Sequence, residues 1–544
     1  MTKRLIQTFT FSLFIFILAS CSNTTNDVDH SNMNMDEEQE VKAENASNKD
    51  LLQTVSTEKL EKNEFTLVAQ ERKHTLAEGK EVTAWTFNGS VPGPEIRVQE
   101  GENVKINLKN ELKDPVTIHW HGLPVPNNMD GIPGVTMNAV QPGDSFTYEF
   151  QASVPGTYWY HSHQDGVNQL DKGLYGSFII EDKGDKKYDK DYILVLDEWM
   201  SNMESIQMED ENADSTNMEG MDHSNMDMGS EPEDMSDMGT SEDANSDETT
   251  AGHDMDSMYD TFTINGKSGK DVTPLSVKEG DKVRIRLVNA GFMSHKIHLH
   301  GHDFKVISTD GQEITDPEVI KDELITISPG ERYDIEFTAD NPGDWYLECH
   351  GDMETSQGMK ALIQYEDFSD ENVDQPNEKE NLPTFDLTSY GKEKKAEFSL
   401  DQKYDLEYTM DLNTVSDESG EKYTINNKTY PNTENIQVKE GDLVKVKLVN
   451  NSETDDHPMH LHGHFFQVLS KDGNPIQGSP IIKDTLNIKP GEEYVVAFKA
   501  DNPGNWMFHC HDLHHATAGM VTQVTYEGFK PEFTPDPNAN NKPE

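Results

Sequence analysis

The sequence predicts an all-β protein made of three β-sandwich domains. Short alternating apolar and polar runs are separated at regular intervals by glycine and proline, which is typical of β-sandwiches. One such run contains a Glu-Gly turn and occurs three times, and two Pro-Gly turns follow each copy in the same order. The chain of 544 residues has room for three domains of ordinary size. The repeated elements are residues 98–106, 277–285 and 438–446, then Pro142-Gly143, Pro329-Gly330 and Pro490-Gly491, then Pro155-Gly156, Pro342-Gly343 and Pro503-Gly504.

The second and third copies keep an almost constant register. A histidine motif between the first two turns slips by one residue, and the other marker residues recur at a spacing of 161 residues. The two copies are therefore compared position by position. The pairs at this spacing are Gly280 and Gly441, Gly330 and Gly491, Cys349 and Cys510, and Met359 and Met520.

Domain borders follow from the repeats and from changes in composition. Residues 22–60 are polar and charged and have little to bury, so we expect a flexible tether there. The predicted segments are a signal peptide at 1–21, the tether at 22–63, domain 1 at 64–183, domain 2 at 190–366 with an insertion at 200–258, a linker at 367–400 and domain 3 at 401–530.

The N-terminus carries the features of an export signal. Lys3 and Arg4 precede a mostly apolar run at 9–18, which is too short to span a membrane permanently. The run leads into Leu18-Ala19-Ser20-Cys21, which resembles a bacterial lipobox, so we expect cleavage before Cys21 and lipid attachment to its sulfur. An ordinary secretory signal with an incidental cysteine is the alternative. The first interpretation predicts a lipoprotein exported to the outer face of the bacterial cell membrane.

Residues 509–520 hold the densest group of potential metal ligands. A thiolate, two imidazoles and a weak thioether form a blue-copper electron-transfer site, and Cys510, His515 and Met520 supply three of these groups. His509 and His511 flank the cysteine. Because side chains alternate along a strand, both point away from a metal at Cys510 and can hold a second metal centre. The two centres are then joined through the covalent bonds of one residue.

The second centre needs six further histidines and the first needs one more. Closely spaced histidines occur in three other motifs, which supply all seven. They are His119 and His121, His161 and His163, and His457, His460 and His462.

Together the four motifs resemble those of the multicopper oxidases, which include laccases and cuprous oxidases, over residues 64–530. The resemblance implies three cupredoxin-like Greek-key domains, four copper ions per chain, and electron transfer through Cys510 to a cluster that reduces O2 to water. The implied ligands are His457, Cys510, His515 and Met520 for a type 1 copper, His119 and His460 for a type 2 copper, and His121, His161, His163, His462, His509 and His511 for two type 3 coppers.

Domain 2 retains part of this ligand pattern. Glu348 stands opposite His509, however, and Glu354 stands opposite His515. A carboxylate is a harder ligand than an imidazole and is less suited to copper held with a thiolate. We interpret domain 2 as a decayed copy, with copper still bound at His295, Cys349 and Met359 as the alternative. The retained residues are His295, His298, His300, Cys349, His350 and Met359.

Domain 1 has Ser162 opposite Cys510, so we expect no blue-copper site there and four histidines given to the cluster. The cluster then requires domains 1 and 3 to touch, with domain 2 as a spacer.

Reduction of O2 consumes protons, so a carboxylate near the cluster is expected as a relay. Asp130 matches the acid that the family carries at this position, although a turn residue before Gly131 is the alternative. Ala516 departs from many bacterial members, which carry a glutamate there. Asp512 or His514 are the candidates to replace that glutamate.

An acidic, low-complexity insertion interrupts domain 2. Its methionines follow neither helical nor alternating spacing, so they do not form a core face. Thioethers are soft ligands that favour Cu(I), and similar insertions occur in copper-tolerance members of the family. A solvated acidic loop with incidental methionines is the alternative. The methionines are Met200, Met203, Met208, Met218, Met221, Met226, Met228, Met235, Met238, Met255 and Met258.

A formal net charge of −56 makes nucleic acid an improbable partner. The expected partners are O2 and Cu(I), with Fe(II) or phenols as less specific reductants, for a monomer that acts in copper tolerance. A non-catalytic copper-sequestering lipoprotein is the competing hypothesis. A copper nitrite reductase is a weaker one, because those enzymes lack the paired histidines around Cys510.

Overall fold

The computed structural model describes residues 51–184, 188–201, 258–351, 353–368, 382–417 and 420–543. These residues form six β-sheets, paired into three sandwiches, and the predicted all-β fold of three cupredoxin-like sandwiches is confirmed. Two short α-helices accompany them, α1 (Gly166–Asp171) and α2 (Leu513–Thr517). The signal segment and most of the tether and the insertion lie outside the described residues. Within the described part, none of the helices has the length and apolar character to span a bilayer.

The first sandwich contains nine strands. They are β1 (Lys59–Leu60), β2 (Glu64–Ala77), β3 (Lys80–Phe87), β4 (Glu95–Gln99), β5 (Asn103–Asn110), β6 (His119–His121), β7 (Ser145–Gln151), β8 (Gly156–His161) and β9 (Tyr175–Glu181). One sheet has the order β1-β4-β9-β8-β6 and the other β3-β2-β5-β7. The two sheets enclose an apolar core that includes Leu67, Ile106 and Trp120.

The second sandwich contains eleven strands. They are β10 (Lys190–Trp199), β11 (Thr261–Ile264), β12 (Leu275–Val277), β13 (Lys282–Asn289), β14 (His295–Leu299), β15 (Phe304–Thr309), β16 (Gln312–Glu313), β17 (Ile325–Ile327), β18 (Arg332–Thr338), β19 (Asp344–Cys349) and β20 (Lys360–Tyr365). The sheet orders are β11-β10-β13-β18-β15-β16 and β12-β20-β19-β14-β17.

The third sandwich contains twelve strands. They are β21 (Leu406–Asp417), β22 (Gly420–Ile425), β23 (Ile436–Val438), β24 (Leu443–Asn450), β25 (His457–Leu461), β26 (Phe466–Lys471), β27 (Asn474–Pro475), β28 (Ile481–Lys483), β29 (Thr485–Ile488), β30 (Glu493–Lys499), β31 (Asn505–Cys510) and β32 (Val521–Tyr526). The sheet orders are β22-β21-β24-β30-β26-β27, with β28 also on β26, and β23-β32-β31-β25-β29. Short 3-10 helices occupy Asn127–Met129, Gly269–Asp271, Glu354–Gly358 and Leu387–Ser389.

The pairing of two strands repeats between sandwiches 2 and 3 and explains their common register. Met459 on β25 pairs with Cys510 on β31, and Ile297 on β14 pairs with Cys349 on β19. Ile297 and Met459 still carry the one-residue slip of the histidine motif, and Gly330 and Gly491 no longer do. The loops on either side of β14 and β25 therefore absorb the slip, and the ligand-bearing strands occupy the same place in both copies.

Part of the predicted tether belongs to the first sandwich. The backbone N–H groups of Thr54 and Val55 donate to Lys73 and Gly89, both at 2.8 Å, and β1 pairs with β4. The tether prediction is therefore wrong for this part, because its backbone groups complete a sheet edge although its side chains are polar. Residues 22–50 lie outside the described part.

Domain 2 does more than separate its neighbours, contrary to the spacer prediction. Arg332 makes a bidentate ion pair with Asp484 of domain 3, with nitrogen–oxygen distances of 2.7 and 2.6 Å, and both side chains are fully buried. Asp310 of domain 2 accepts from the backbone N–H of Thr485 at 3.1 Å and pairs with Lys483 at 3.1 Å. These charges can be buried because each one has partners.

Replacing Arg332 by methionine is expected to lower the free energy of unfolding by about 3–5 kcal/mol, because Asp484 then stays buried without its bidentate partner. Chemical denaturation followed by tryptophan fluorescence measures the loss. Lys105→Met is the matched control, since Lys105 and Glu149 form an exposed pair whose removal changes stability by less than about 1 kcal/mol. Similar small losses of unfolding free energy in both variants would show that the buried ion pair between Arg332 and Asp484 does not stabilise the domain contact.

Candidate metal centres

The first centre, called the thiolate site, consists of His457, Cys510, His515 and Met520. The sulfur of Cys510 lies 3.9 Å from Nδ1 of His457 and 3.6 Å from Nδ1 of His515, and the two Nδ1 atoms are 3.3 Å apart. Met520 is fully buried in the same core cluster, and its carbonyl accepts from the Cys510 N–H at 3.0 Å. The geometry brings the three strong donors of the predicted type 1 site together.

Two neighbours orient the imidazoles of the thiolate site. Nε2 of His457 lies 2.8 Å from Oγ of Ser452, and Nε2 of His515 lies 3.3 Å from Oδ2 of Asp512. Each Nδ1 is thereby left facing the sulfur, as a metal ligand requires. Burial lowers the pKa of both histidines to about 3 and raises the pKa of Cys510 well above its usual value. The rings are neutral at physiological pH, and a bound cation is what would favour the thiolate.

The second centre is a buried cage of eight imidazoles, called the histidine cage, at the contact of domains 1 and 3. His121 stacks on His460 with ring centroids 3.8 Å apart, and His119 stacks on His462 at 4.0 Å. Every ring is at most 1% exposed. The structure thus assembles all eight histidines singled out in the sequence, which are His119, His121, His161, His163, His460, His462, His509 and His511.

One nitrogen of most cage rings is anchored outside the cage. Nδ1 donates to a backbone carbonyl in five rings, at distances between 2.7 and 3.0 Å. In His121 the roles are exchanged, since Nε2 lies 3.1 Å from Oδ1 of Asp484 and 3.0 Å from Oγ1 of Thr485. An anchored N–H fixes the tautomer and leaves the other nitrogen as a lone-pair donor. The five carbonyl-anchored rings are His119, His161, His163, His460 and His509.

The remaining nitrogens fit a metal cluster. Among the described residues, at least six buried nitrogens in five rings of the cage have no hydrogen-bond partner, which is costly unless a cation accepts the one lone pair that each neutral ring offers. Donor atoms of neighbouring rings lie within 4.8 Å of one another in overlapping groups of three. The partition into one type 2 and two type 3 coppers stays a prediction. The six atoms are Nε2 of His119, His161 and His460, Nδ1 of His121, and both nitrogens of His511.

The charge state of the rings agrees with this role. Burial, followed by the proximity of other rings, lowers the pKa of His121, His161, His462, His509 and His511 well below the ordinary value. All five are therefore neutral at physiological pH and keep their lone pairs.

Asp130 lies in the wall of the cage, where the sequence placed it. Its Oδ2 is 3.1 Å from Nδ1 of His462, and its carbonyl accepts from Nδ1 of His119 at 2.9 Å. The side chain is 1% exposed. Asp130 also ends the turn before Gly131, so the relay and turn interpretations both describe this residue, and its role in proton transfer stays a prediction.

A second carboxylate of the cage was missed in the sequence. Asp484 holds His121, and its carbonyl accepts from Nδ1 of His460 at 3.0 Å. Burial opposes ionisation, but the pairing with Arg332 outweighs it and lowers the pKa of Asp484 below its usual range. Its role is to orient rings as a permanent anion. Asp484 lies outside every histidine motif, so no local sequence pattern marks it. Its role is visible from its contacts with Arg332 of domain 2 and with the cage rings.

The C-terminal tail closes one side of the cage, beyond the domain 3 border predicted at residue 530. The carbonyl of Pro543 accepts from Nδ1 of His163 at 2.7 Å. The carbonyl of Asn540 accepts from Gln164 at 2.8 Å, and the N–H of Lys542 donates to Oε1 of Gln164 at 2.9 Å. The tail is polar and has no repeat in the other domains, so no local sequence pattern connects it with the cage.

The two candidates to replace a glutamate at Ala516 lie beside the thiolate site. Asp512 caps α2 through the N–H groups of His514 and His515, and burial raises its pKa to about 6. His514 contacts the hydroxyl of Tyr259 at 3.3 Å. Ala516 itself is buried among apolar side chains. Asp130 and Asp484 are the carboxylates whose contacts with cage rings were described above, within the part of the chain that the structure describes.

The equivalent of the thiolate site in domain 2 is built differently. Nδ1 of His295 lies 3.9 Å from the sulfur of Cys349, and Nε2 lies 3.1 Å from Oε2 of the fully buried Glu198. Burial opposes protonation, but the hydrogen bonds to Cys349 and Glu198 raise the pKa of His295 to about 10. A protonated ring has no free lone pair, which favours the decayed-copy interpretation. Met359 is buried in the core, and the side chain of Glu354 lies outside the described part.

Comparisons with known proteins agree with this arrangement. Two family models described as multicopper oxidase match the chain. One matches residues 68–185, and the other matches both residues 237–368 and residues 398–528. The chain is 31% identical to multicopper oxidase MmcO of Mycobacterium tuberculosis, over 82% of this chain and 84% of that one. It is 24% identical to copper resistance protein A of Escherichia coli, over 82% and 90% of the two chains.

Among solved structures, a multicopper oxidase from Campylobacter jejuni, described as a metallo-oxidase, matches with a TM-score of 0.60 and 25% identity over 88% of this chain and 94% of that one. The protein therefore belongs to the multicopper oxidase family of copper-dependent oxidoreductases that use O2.

Proposed function

We propose that the protein oxidises Cu(I) at the thiolate site and reduces O2 to water at the histidine cage, in copper tolerance at the cell envelope. Fe(II) and phenols are less specific reductants. One observation carries the proposal: Cys510 belongs to the thiolate site while its two chain neighbours, His509 and His511, belong to the cage. Four copper ions, one at the thiolate site and three in the cage, would supply one-electron oxidation at the first and O2 reduction at the second.

The chain connects the two centres by its shortest possible route. Cys510 is joined to His509 and His511 by single peptide bonds, and Nδ1 of His509 also donates to the carbonyl of Cys510 at 2.9 Å. Covalent bonds and a hydrogen bond thus run in parallel between the centres. His515 is 8% exposed, whereas His457 and Cys510 are fully buried. A reductant therefore reaches the thiolate site at the edge of His515.

The ends of the methionine insertion favour Cu(I) as the reductant. Ser201, where the described chain stops, donates through Oγ to Asp260 at 2.6 Å, so the two ends of the insertion meet. The next residue before Asp260, Tyr259, contacts His514 and packs in one apolar cluster with Leu513. Both ends of the insertion therefore lie close to the helix that carries His515. Soft thioether ligands in the insertion would bind cuprous ions near the thiolate site.

A cavity lies at the same place and has charged and soft side chains in its wall. It has a volume of about 310 Å³ and is lined by Glu71, Glu81, Asp171, Lys172 and Met200, among others. Asp171 accepts a hydrogen bond from the hydroxyl of Tyr259 at 3.0 Å. Contacts therefore run from the cavity through Tyr259 to the helix that carries His515.

A copper-sequestering protein is the alternative function. Storage needs soft ligands but no link between a buried thiolate and a cage of eight imidazoles. The proposed oxidase needs both the buried thiolate and the linked cage of imidazoles, so we favour it.

Cys510→Ser is expected to remove the visible absorption of the copper-loaded protein and to reduce O2 consumption to below about one-hundredth, because a hydroxyl does not replace the thiolate ligand. An oxygen electrode and an absorption spectrum measure the two effects. Cys349→Ser, at the equivalent position of domain 2, is the control and should keep both properties. Unchanged O2 consumption in Cys510→Ser would refute electron transfer from the thiolate site to the histidine cage through Cys510.

Asp130→Asn is expected to lower the rate of O2 consumption by about 10–100-fold, because the variant loses the carboxylate that holds His462 and can carry a proton. Copper content and the absorption of the thiolate site should stay within error of the wild type. Asp144→Asn changes an exposed turn carboxylate and serves as control. A turn-only role for Asp130 predicts wild-type rates, and that outcome would exclude it as a relay.

Replacing the nine central methionines of the insertion by leucine is expected to lower Cu(I) oxidation by about tenfold, since leucine offers no soft ligand. Oxidation of an organic dye by the same variant is the internal control and should change little. Equal losses for both reductants would show that the insertion does not serve Cu(I), and no catalytic O2 uptake in the wild type would favour sequestration. The replaced residues are Met203, Met208, Met218, Met221, Met226, Met228, Met235, Met238 and Met255.

A further inference from the structure

Domain 2 contains a group of histidines that the proposed reaction does not use. Donor atoms of His298, His300 and His350 lie within 4.8 Å of one another. The rings of His298 and His300 have centroids 4.2 Å apart, and those of His298 and His350 are 5.2 Å apart. These residues correspond in sequence to His460, His462 and His511 of domain 3.

His298 is the residue that points to a ligand. It is 2% exposed, and among the described residues neither of its ring nitrogens has a hydrogen-bond partner. A buried imidazole normally anchors at least one nitrogen, as most rings of the histidine cage do. The neighbouring contact is also unusual, because Nε2 of His300 lies 3.2 Å from Nε2 of His350. Two lone pairs cannot face each other at this distance without a shared proton or a shared cation.

A carboxylate completes the group. Oε1 of Glu348 lies 3.0 Å from Nε2 of His300 and 3.6 Å from Nε2 of His350. Glu348 occupies the position that His509 has in domain 3, so a carboxylate replaces the fourth imidazole of the copied half-cage. The side chains of Glu348 and His350 are 23% and 15% exposed, which leaves the group open to an ion from solution.

We infer that domain 2 holds one divalent transition-metal ion through His298, His300, His350 and Glu348. Three imidazoles and a carboxylate suit Cu(II) and Zn(II), and the absence of sulfur from this set disfavours Cu(I). The site takes a single ion, because these four residues form one half-cage, whereas the histidine cage combines rings of two domains. It is separate from the pair His295 and Cys349, whose side chains lie on the other face of their strands. The inference does not depend on the proposed reductant.

Metal counting tests the site. The copper-loaded, full-length protein is dialysed against buffered Zn(II), and copper plus zinc per chain is measured by mass spectrometry. The wild type is expected to hold one more ion than His298→Ala, and Glu348→Gln should bind that ion at least about tenfold more weakly. His350→Ala, which alters a partly exposed ring, gives the same test if His298→Ala does not fold. Cys349→Ser lies on the same strand as Glu348 and should retain the ion.

Two results would overturn the inference. One is the same metal count in the wild type, His298→Ala and His350→Ala. The other is a sulfur neighbour in the zinc X-ray absorption spectrum of the wild type, or loss of the ion in Cys349→Ser, because either would place the metal at the cysteine. A spectrum with nitrogen and oxygen neighbours only, lost in His350→Ala, supports the site.

Discussion

The packing of eight imidazoles between the first and third sandwiches is the constraint on which the rest of the structure depends. Burial and the proximity of other rings lower the pKa of five of them well below the ordinary value, so these five present lone pairs. Several ring nitrogens of the cage have no hydrogen-bond partner in the described chain. Two rings from domain 1 stack on two rings from domain 3 at about van der Waals distance. A small shift of one domain would separate these donors, so the domain contact and the site are one feature.

The surrounding structure supplies the rigidity that this packing needs. Arg332 and Asp310 of domain 2 bind the junction of β28 and β29 in domain 3, where Asp484 lies, and Asp484 in turn holds His121 of domain 1. Gly330 approaches the cage so closely that a Cβ atom there would lie 2.9 Å from His511 and 3.0 Å from His121. Domain 2 thus helps to hold the other two domains in place.

Local sequence patterns predicted the sandwiches and brought out every histidine of the cage, because strand alternation and fixed ligand spacing are short-range properties. The same patterns did not reveal Asp484, which lies in domain 3 outside the histidine motifs, or Arg332 and Pro543, which belong to domain 2 and to the C-terminal tail. They also assigned residues 51–63 to a tether, because polar side chains conceal a backbone that pairs with a sheet edge. Contacts between segments that are distant in the chain leave no periodic pattern in the local sequence. Such contacts orient several rings of the cage, including His121, His163 and His460.

The central claim is that Cys510 joins two separate metal centres. One is at its own sulfur, and the other is the histidine cage, to which its chain neighbours His509 and His511 belong. Crystals of the copper-loaded protein, measured with X-rays at the copper absorption edge, test it directly. The account predicts one anomalous peak bonded to the Cys510 sulfur and three inside the histidine cage. A cage without copper, or a Cys510 sulfur without a bonded metal, would contradict it.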